Sequence, residues 1–360
     1  MDIYAEKYQM KKVLVIYPDY DKKITGGQVY DHYFVSRMSA CKNLSITVCE
    51  ERAENHDSFF ALFSYLKLLK TAKNYDIIIS NSRYYSKFLL LFFFLKNFYS
   101  KKIILFHHHF SFLSESGLKQ KLHRWFEMSF LRQASQVVIP SPYIKKLMKE
   151  LLPKKQAVYI PLAFKTNNNI PQSTLKNGNS LLFVGTIEPR KGIIFLVQAL
   201  HLLKKQSLSF FCSVVGAITD EYYYQNLIQY IDENGLSENI VFRGRVSDEE
   251  LNSLYTNSDC FVFPSLHEGF GMVLIEAMSH GLPVIAFDNS AIPYTVKNNE
   301  NGLLVEDKSV EKFAEAIKKI LENEELRIEL GKNAHKTYLN SYSYTELNKD
   351  IDTFAEKQNG

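Results

Sequence analysis

Two glutamates flank a glycine-containing loop in the second half of the sequence. Glu268 follows the apolar run at 260–264, and Glu276 comes after it with seven residues between them. Gly269 and Gly271 let the backbone approach a ligand closely, and free N–H groups at the start of a following helix attract a diphosphate. Each carboxylate can accept hydrogen bonds from vicinal hydroxyls. The arrangement fits a ligand that carries a diphosphate and vicinal hydroxyls.

The same stretch also fits an ordinary strand–loop–helix connection with incidental acids. A dinucleotide-binding fingerprint needs a third glycine, and Leu274 stands at that position. A second block, FVGTIEPRKG (183–192), adds a basic pair, Arg190 and Lys191, before a helical pattern. Both cations can neutralise a diphosphate, Arg as a planar fork and Lys as a point charge. The alternative is a solvated pair, because a helix N-terminus disfavours cations.

The stretch FVFPSLHEGFGMVLIEAMSHGLPVIAF (261–287) resembles the retaining GT-B glycosyltransferases that share a Glu-x7-Glu signature, including glycosyl transferases group 1 and family 4-like members. The resemblance implies that Glu276 binds the ribose and that Glu268 contacts the transferred sugar. It also implies that loop amides hold the sugar and the diphosphate. These amides belong to Gly269, Phe270, Gly271 and Met272.

Two further blocks of the second half resemble this family. Many members carry an Arg and a Lys on the phosphates; Lys191 matches the Lys, Thr186 replaces the Arg, and Arg190 is the expected substitute. The resemblance also implies that the backbone of Arg245 and Val246 borders the nucleobase. The residues themselves predict that Ser247 and Glu250 form a capping box for the next helix.

Glycines and histidines mark the ends of two strands in the first half. Gly26 and Gly27 precede a helical pattern and fit either a flexible turn or close approach to a ligand; the resemblance implies that Gly27 lies over the donor. Three consecutive histidines, 107–109, cannot all bind one zinc ion from one strand, since neighbouring side chains point alternately. The family has one histidine there, near the hexose 6-hydroxyl. Counting along the strand selects His108, with His107 or His109 left open.

No metal ligand set or cofactor is expected. Asp-x-Asp tripeptides at 19–21 and 350–352 fit the motif of GT-A transferases, but they occur often by chance and lie outside such a context. Cationic side chains at the diphosphate take the place of a divalent ion. We therefore expect transfer without a metal, with His108, Lys191 and Glu268 as the catalytic residues.

Short apolar runs alternate with helical patterns throughout, which indicates parallel strands buried on both faces. Two such series predict an α/β protein with two Rossmann-like, doubly wound domains. The resemblance implies that they form the GT-B fold, in which the two domains face a cleft. The predicted division is 1–165 for acceptor binding, 166–179 as linker, 180–340 for the nucleotide sugar, and 341–360 crossing back to the first domain. The expected strands lie at 13–17, 45–49, 76–80, 102–106, 136–140, 157–161, 181–185, 210–216, 240–244, 260–264, 283–287 and 302–306.

Charge is divided unevenly between the two halves. Residues 1–165 carry 26 Lys and Arg against 13 Asp and Glu, a balance of +13, whereas residues 166–360 carry 17 against 26, a balance of −9. This split predicts an anionic partner such as an acidic membrane leaflet, with a solvated basic surface as the alternative. The longest apolar run, 88–95, is too short to span a bilayer, which takes about 20 residues. It fits either a buried helix or membrane contact.

Four single cysteines without CxxC spacing read as small buried residues in a reducing compartment, and no signal peptide is expected. We therefore expect a cytoplasmic protein with peripheral contact to the inner face of the membrane. The predicted function is retaining transfer of a hexose from a nucleoside diphosphate sugar to a glycan or lipid-linked acceptor in cell-surface polysaccharide biosynthesis. A GT-B sugar-nucleotide epimerase would need no acceptor. Nucleic-acid binding would leave the Glu-x7-Glu block unexplained, so no nucleic acid is expected.

Overall fold

The computed structural model describes residues 10–17, 26–49, 58–161 and 178–358. The chain divides into two compact units: the first comprises Met1–Leu162 and Thr345–Gly360, the second Ala163–Tyr344. The predicted linker, 166–179, lies outside the described residues up to position 177. Each unit is a parallel sheet with helices, as expected for a doubly wound α/β protein.

The sheet of the first unit has six parallel strands in the order β2-β1-β3-β4-β5-β6. Its strands are β1 (Lys11–Ile16), β2 (Leu44–Cys49), β3 (Ile77–Asn81), β4 (Lys102–Phe106), β5 (Gln136–Ile139) and β6 (Ala157–Tyr159). Its first helices are α1 (Gly26–Ser39), α2 (Ser58–Ala72), α3 (Tyr85–Tyr99), α4 (Gly117–Gln133) and α5 (Pro142–Leu151). The strand order reverses direction between β1 and β3.

The sheet of the second unit also has six parallel strands, in the order β12-β11-β10-β7-β8-β9. Its strands are β7 (Ser180–Val184), β8 (Phe211–Val215), β9 (Ile240–Gly244), β10 (Cys260–Phe263), β11 (Val284–Phe287) and β12 (Gly302–Val305). Its helices are α6 (Ile193–Lys205), α7 (Glu221–Glu233), α8 (Asp248–Asn257), α9 (Met272–Ser279), α10 (Ile292–Thr295), α11 (Val310–Glu322) and α12 (Glu324–Ser341). Here the order reverses between β7 and β10.

All twelve expected strands form, and their apolar runs supply the two cores. Strand β10 is buried along its whole length, and so is β11. Proline sets several ends: β5 stops before Pro140 and β10 before Pro264, because proline has no N–H to donate to the ladder. Cys212 and Cys260 are buried as predicted, whereas Cys41 and Cys49 are only partly buried and all four are free.

The C-terminal helix α13 (Tyr344–Glu356) belongs to the first unit. Asp352 accepts from Nε of Arg37 at 2.8 Å, and Asn348 accepts from the Tyr33 hydroxyl at 2.6 Å. Asp352, the last residue of the Asp-x-Asp tripeptide at 350–352, therefore forms an ion pair with Arg37 of α1. Among the described helices, none is both long and apolar enough to cross a bilayer.

Candidate functional site

The predicted donor-binding residues of the second unit, apart from Arg245 and Val246, gather where its strand order reverses. The loop after β7 carries the basic pair, and the loop after the neighbouring strand β10 carries the first glutamate. In open α/β sheets, ligands bind at such a switch point, beyond the carboxyl ends of the strands. The topology thus brings together two motifs that are far apart in sequence.

Backbone contacts hold these two loops against each other. The carbonyl of Arg190 accepts from the N–H of Leu266 at 2.9 Å and from the Ser265 hydroxyl at 3.3 Å. Gly192 has φ +66°, and a Cβ there would lie 2.0 Å from the carbonyl oxygen of Pro264. Only glycine allows this approach, which fixes the basic pair beside the loop after β10.

Glu268 is the centre of the polar cluster. Its Oε1 accepts from Lys191 Nζ at 2.6 Å and from the Ser265 hydroxyl at 2.8 Å, and Arg190 Nη1 lies 3.4 Å away. Burial by itself would raise the pKa of this carboxyl, but the charges of Lys191 and Arg190 outweigh it and hold the pKa below its ordinary value. Glu268 is therefore an ionised, nearly buried carboxylate.

Arg190 also contacts Glu188 and the backbone of His267. Its Nη2 donates to Glu188 at 2.6 Å, and its Nη1 donates to the carbonyl of His267 at 3.0 Å. Thr186, which stands where the family has an Arg, donates to Glu188 at 2.9 Å. The two cations thus face two carboxylates, Glu188 and Glu268. The role of Arg190 at a phosphate stays a prediction.

The loop between the glutamates ends at the first residue of a helix. Gly271 has φ +84° and precedes α9, which begins at Met272. The Leu274 amide donates to the Gly271 carbonyl at 3.0 Å, so the amides available to an anion are the first two of the helix, those of Met272 and Val273. Phe270 is buried, and its ring lies 6.1 Å from that of Tyr342. The side chain of Phe270 therefore anchors the loop, while Gly269 contributes only backbone.

Glu276 lies one turn into α9 and is half-buried. Its Oε2 accepts from the hydroxyl of the buried Tyr255 at 2.9 Å, and its Oε1 has no partner among the described residues. Burial raises the pKa of Glu276; the bond from Tyr255 opposes this and Asp248 adds to it. One carboxylate oxygen is fixed by the protein, and the other can accept from a ligand hydroxyl.

Beyond the edge strand β9, Arg245 is exposed and Val246 is half-buried. The Ser247 hydroxyl accepts from the N–H of Glu250 at 3.2 Å, which confirms the Ser247 half of the predicted capping box on α8; the reciprocal bond to the Glu250 side chain is not among the contacts of the described residues. The side chain of Glu250 lies near Arg243, 3.7 Å from its Nη1. That Arg245 and Val246 border a nucleobase stays a prediction.

Two family models together match most of the chain. The model for glycosyl transferases group 1 matches residues 165–337, and the model for glycosyltransferase family 4 matches residues 12–167. The chain belongs to the group 1 glycosyltransferases. The first of these matches contains all the donor-site residues of the second unit, and the second contains the glycine pair and the histidines.

Relatives and solved structures of this glycosyltransferase point the same way. It is 33% identical to the capsular polysaccharide biosynthesis glycosyltransferase CapM of Staphylococcus aureus over 54% of this chain and 52% of the relative, and 32% identical to O-antigen chain mannosyltransferase B of Escherichia coli over 41% and 38%. The chain thus spans about half the length of the curated relatives it matches or less. Matches of this length do not identify the substrates of this chain.

Solved structures agree in fold. Sucrose-phosphate synthase from Thermosynechococcus elongatus superposes with a TM-score of 0.79 at 20% identity, covering 97% of this chain and 99% of that one. Anabaena HepE in complex with UDP and glucose gives 0.78 at 18% identity, covering 96% and 100%. At these identities the likeness establishes the GT-B fold of this glycosyltransferase.

In the first unit, the three histidines have different surroundings. His107 is fully buried, with Nδ1 2.7 Å from the Ser82 hydroxyl, and burial lowers its pKa well below the ordinary value. His108 is half-buried and His109 exposed. The Nε2 atom of His108 lies 2.8 Å from Oδ1 of Asp31.

Sequence reasoning missed Asp31 and two of its partners, Tyr17 and Asn81. Asp31 is 0% exposed, and its Oδ2 accepts from the Tyr17 hydroxyl at 2.9 Å and from Asn81 Nδ2 at 2.5 Å. The sequence signal that could have pointed to Asp31 is an acidic residue between Tyr30 and Phe34, which lie on the buried side of α1. A buried charge is retained only with partners.

Among the described residues, no group of three or more His, Cys, Asp and Glu side chains is arranged to hold a metal ion. The Asp-x-Asp tripeptide at 19–21 lies outside the described residues. Metal-free transfer stays a prediction.

Proposed function

We propose that this glycosyltransferase transfers a hexose, with retention of configuration, from a nucleoside diphosphate sugar to a glycan or lipid-linked acceptor in cell-surface polysaccharide biosynthesis. The observation that carries the proposal is the cluster of Lys191, Arg190 and Glu268 at the switch point, with Glu276 on the adjoining helix. It supplies cations for a diphosphate and carboxylates for two sets of hydroxyls.

Each group has a definite task in this proposal. Lys191 gives one hydrogen to Glu268 and keeps two others for phosphate oxygens. Glu268, held ionised, accepts from hexose hydroxyls, and the free Oε1 of Glu276 accepts from the ribose. The first amides of α9 complete the diphosphate site. In the first unit, Gly27 and His108 are the residues proposed for the donor.

The proposed step is electrostatically assisted. The bond from the anomeric carbon to the diphosphate oxygen breaks, and the bonding pair leaves with the diphosphate. The acceptor oxygen bonds to the anomeric carbon on the same face and passes its proton to a leaving phosphate oxygen. Lys191, Arg190 and the loop amides stabilise the charge that develops on the diphosphate.

The names of similar proteins support the donor and acceptor classes. CapM is named for capsular polysaccharide biosynthesis, and HepE was solved with UDP and with UDP-glucose. A relative from Mycobacterium tuberculosis, 28% identical over 42% of this chain, is named for GDP-mannose-dependent transfer. A uridine or guanosine nucleotide is therefore the proposed range. An epimerase of the same fold would turn over the donor without an acceptor.

A panel of nucleotide sugars tests the proposal. We expect one to raise the melting temperature and to be hydrolysed slowly in the absence of acceptor. NMR of the transferred sugar then gives the anomeric configuration. An inverted product would contradict retention, conversion of the donor into another nucleotide sugar would favour the epimerase, and the absence of both binding and turnover across the panel would refute the donor site.

We also propose that the first unit contacts an anionic membrane surface. Helix α3 buries one side of the apolar run, including Phe92 and Leu95, but Phe94 and Phe98 are exposed with their rings 5.4 Å apart. One face of this helix is therefore buried, as the first alternative expects, and we propose that the exposed face contacts the membrane. Basic residues flank the run.

Helix α4 adds a second exposed apolar stripe. Leu118, Leu122 and Trp125 recur at helical spacing, and Leu118 is 83% and Trp125 60% exposed. Exposed Lys119 and Lys121 lie on the same helix. Aromatic insertion with basic residues at the rim fits a protein that lies on a membrane surface.

Trp125 is the single tryptophan of the chain, so its fluorescence reports this surface alone. We expect a blue shift with anionic vesicles and steep loss of binding between low and physiological salt. The variant Lys119→Glu with Lys121→Glu should bind more weakly. The control, Lys332→Glu with Lys336→Glu on α12, should bind like the wild type. Failure to bind acidic vesicles at low salt would refute the proposal.

A further inference from the structure

The first unit contains a polar cluster at its own switch point. Tyr17 follows β1, Asn81 ends β3, and His108 follows β4, so all three come from the carboxyl ends of adjacent strands. Their side chains converge on Asp31 of α1. This edge of a doubly wound sheet is where ligands bind.

The two oxygen atoms of the Asp31 carboxylate have different partners. Its Oδ2 takes both neutral donors, the Tyr17 hydroxyl and the Asn81 amide, while its Oδ1 faces only Nε2 of His108. Burial, with the charge of Asp31 next, raises the pKa of Tyr17, so this hydroxyl stays protonated and donates. Asp31 thus accepts from fixed donors on one oxygen and orients a histidine with the other.

Two neighbouring residues, Gly27 and Tyr30, also restrict the position of the His108 ring. A Cβ at Gly27 would lie 3.1 Å from Cδ2 of His108, so only a glycine leaves the ring this room without a shift. The Tyr30 ring meets the imidazole edge-on, with centroids 5.5 Å apart. The ring is therefore fixed in place as well as hydrogen-bonded.

The bond to Asp31 determines what the other ring nitrogen can do. When Nε2 carries the hydrogen donated to the carboxylate, the neutral imidazole has its lone pair on Nδ1. Nδ1 has no partner among the described residues. It is thus an acceptor available to a ligand hydroxyl.

We propose that Asp31 is a positioning residue that fixes His108 with Nδ1 as a hydrogen-bond acceptor for a sugar hydroxyl. This inference rests on the proposed function for the identity of the ligand, but the ring geometry stands without it. The hydroxyl belongs either to the transferred hexose or to the acceptor sugar.

Nitrogen-15 NMR of histidine-labelled wild-type protein measures the tautomer directly. The spectrum of His108→Gln identifies the His108 signals among the ten histidines. We expect a proton on Nε2 and none on Nδ1 at the assay pH. A proton on Nδ1 would overturn the inference.

The variant Asp31→Asn tests the consequence for transfer. An asparagine can offer an N–H to Nε2 and so shift the ring proton to Nδ1, which then cannot accept. We expect transfer to fall at least about tenfold, with the Kd of the nucleotide alone within about twofold of the wild type. Tyr17→Phe is the matched control: it removes a donor from the same carboxylate and should keep the wild-type tautomer.

Two measurements separate the sources of the hydroxyl. If Nδ1 accepts from the hexose, Asp31→Asn slows donor hydrolysis and transfer alike; if it accepts from the acceptor, hydrolysis is preserved and only transfer falls. Wild-type transfer by Asp31→Asn would overturn the inference. Absence of turnover in the wild type with every nucleotide sugar would instead count against the proposed function, and the tautomer would still decide the role of Asp31.

Discussion

Replacing Glu276 by Gln should separate ligand binding from stability. The substitution preserves the shape of the side chain and an oxygen that can accept from Tyr255, but it removes the charge. In the proposed complex the free Oε1 accepts from a ribose hydroxyl. A hydrogen bond to a charged group contributes about 1.5–3 kcal/mol, so the Kd of the nucleotide should rise about 10- to 100-fold.

Without ligand, the Glu276→Gln variant should be at least as stable as the wild type, although it binds nucleotide more weakly. Burial raises the pKa of Glu276, so the folded state binds this proton more tightly than the unfolded state. The contribution of this group to the free energy of unfolding is therefore largest below the ordinary pKa of glutamate and is lost as the pH rises through the raised value. At neutral pH the neutral Gln should leave the melting temperature unchanged or raise it.

Thermal unfolding with and without nucleotide measures both effects. At a nucleotide concentration of 100 times the wild-type Kd, binding adds about 2.7 kcal/mol to the wild type. A tenfold weaker Kd reduces this to about 1.4 kcal/mol, and a hundredfold weaker Kd to about 0.4 kcal/mol. The wild-type affinity should also fall as the pH drops through the raised pKa of Glu276.

Tyr255→Phe is the matched control, since it keeps the carboxylate and removes its protein donor. Its nucleotide affinity should approach that of the wild type at alkaline pH and decline at a higher pH than in the wild type, because the bond from Tyr255 lowers the pKa of Glu276. If Glu276→Gln bound nucleotide as tightly as the wild type, the ribose assignment would be wrong. A joint fall in affinity and ligand-free stability would instead mark Glu276 as a structural residue.

Three other results are expected. Lys191→Ala should reduce turnover about 10²-fold, and wild-type turnover in this variant would contradict the role of the lysine. Adding Glu268→Gln should recover stability but not turnover, because it removes a buried charge that has lost its nearest cation and keeps only Arg190 at 3.4 Å. Transfer measured after exhaustive chelation should persist, whereas loss that manganese or magnesium restores would make the tripeptide at 19–21 a candidate ligand set. Gly192→Ala should lower the free energy of unfolding by well over the roughly 1 kcal/mol expected for its control, Gly235→Ala. Both glycines have positive φ, but of the two only Gly192 would bring a Cβ into collision with backbone. Equal losses of stability in chemical denaturation would refute the close approach at Gly192.

Local sequence patterns were sufficient for the secondary structure and for the placement of the motifs. The apolar run 102–106 became a strand with those bounds, since residues buried on both faces of a parallel sheet must be apolar. The Ser247 cap was readable because a cap depends on residues three positions apart. Glu268 in a loop and Glu276 in the following helix were readable for the same local reason.

Such local patterns could not predict which side chains from distant parts of the sequence would contact each other. Lys191 and Glu268 are 77 residues apart, and so are Asp31 and His108. Lys191 meets Glu268 because the strand order places the ends of β7 and β10 side by side, and Asp31 meets His108 because α1 lies against the residues that follow β4. No window of sequence reports either arrangement. The pairing of Glu276 with Tyr255 likewise depends on how α8 and α9 pack.

The sequence by itself determined that this chain forms two doubly wound α/β units with a glycosyltransferase donor motif in the second, because periodicity and motif spacing are properties of neighbouring residues. Only the tertiary structure decided which histidine faces a carboxylate, that Lys191 and Arg190 converge on Glu268, and which side of the apolar run on α3 is exposed. Those outcomes depend on burial and on contacts between distant strands, where the free energy of a buried charge is set by the partners that the fold supplies.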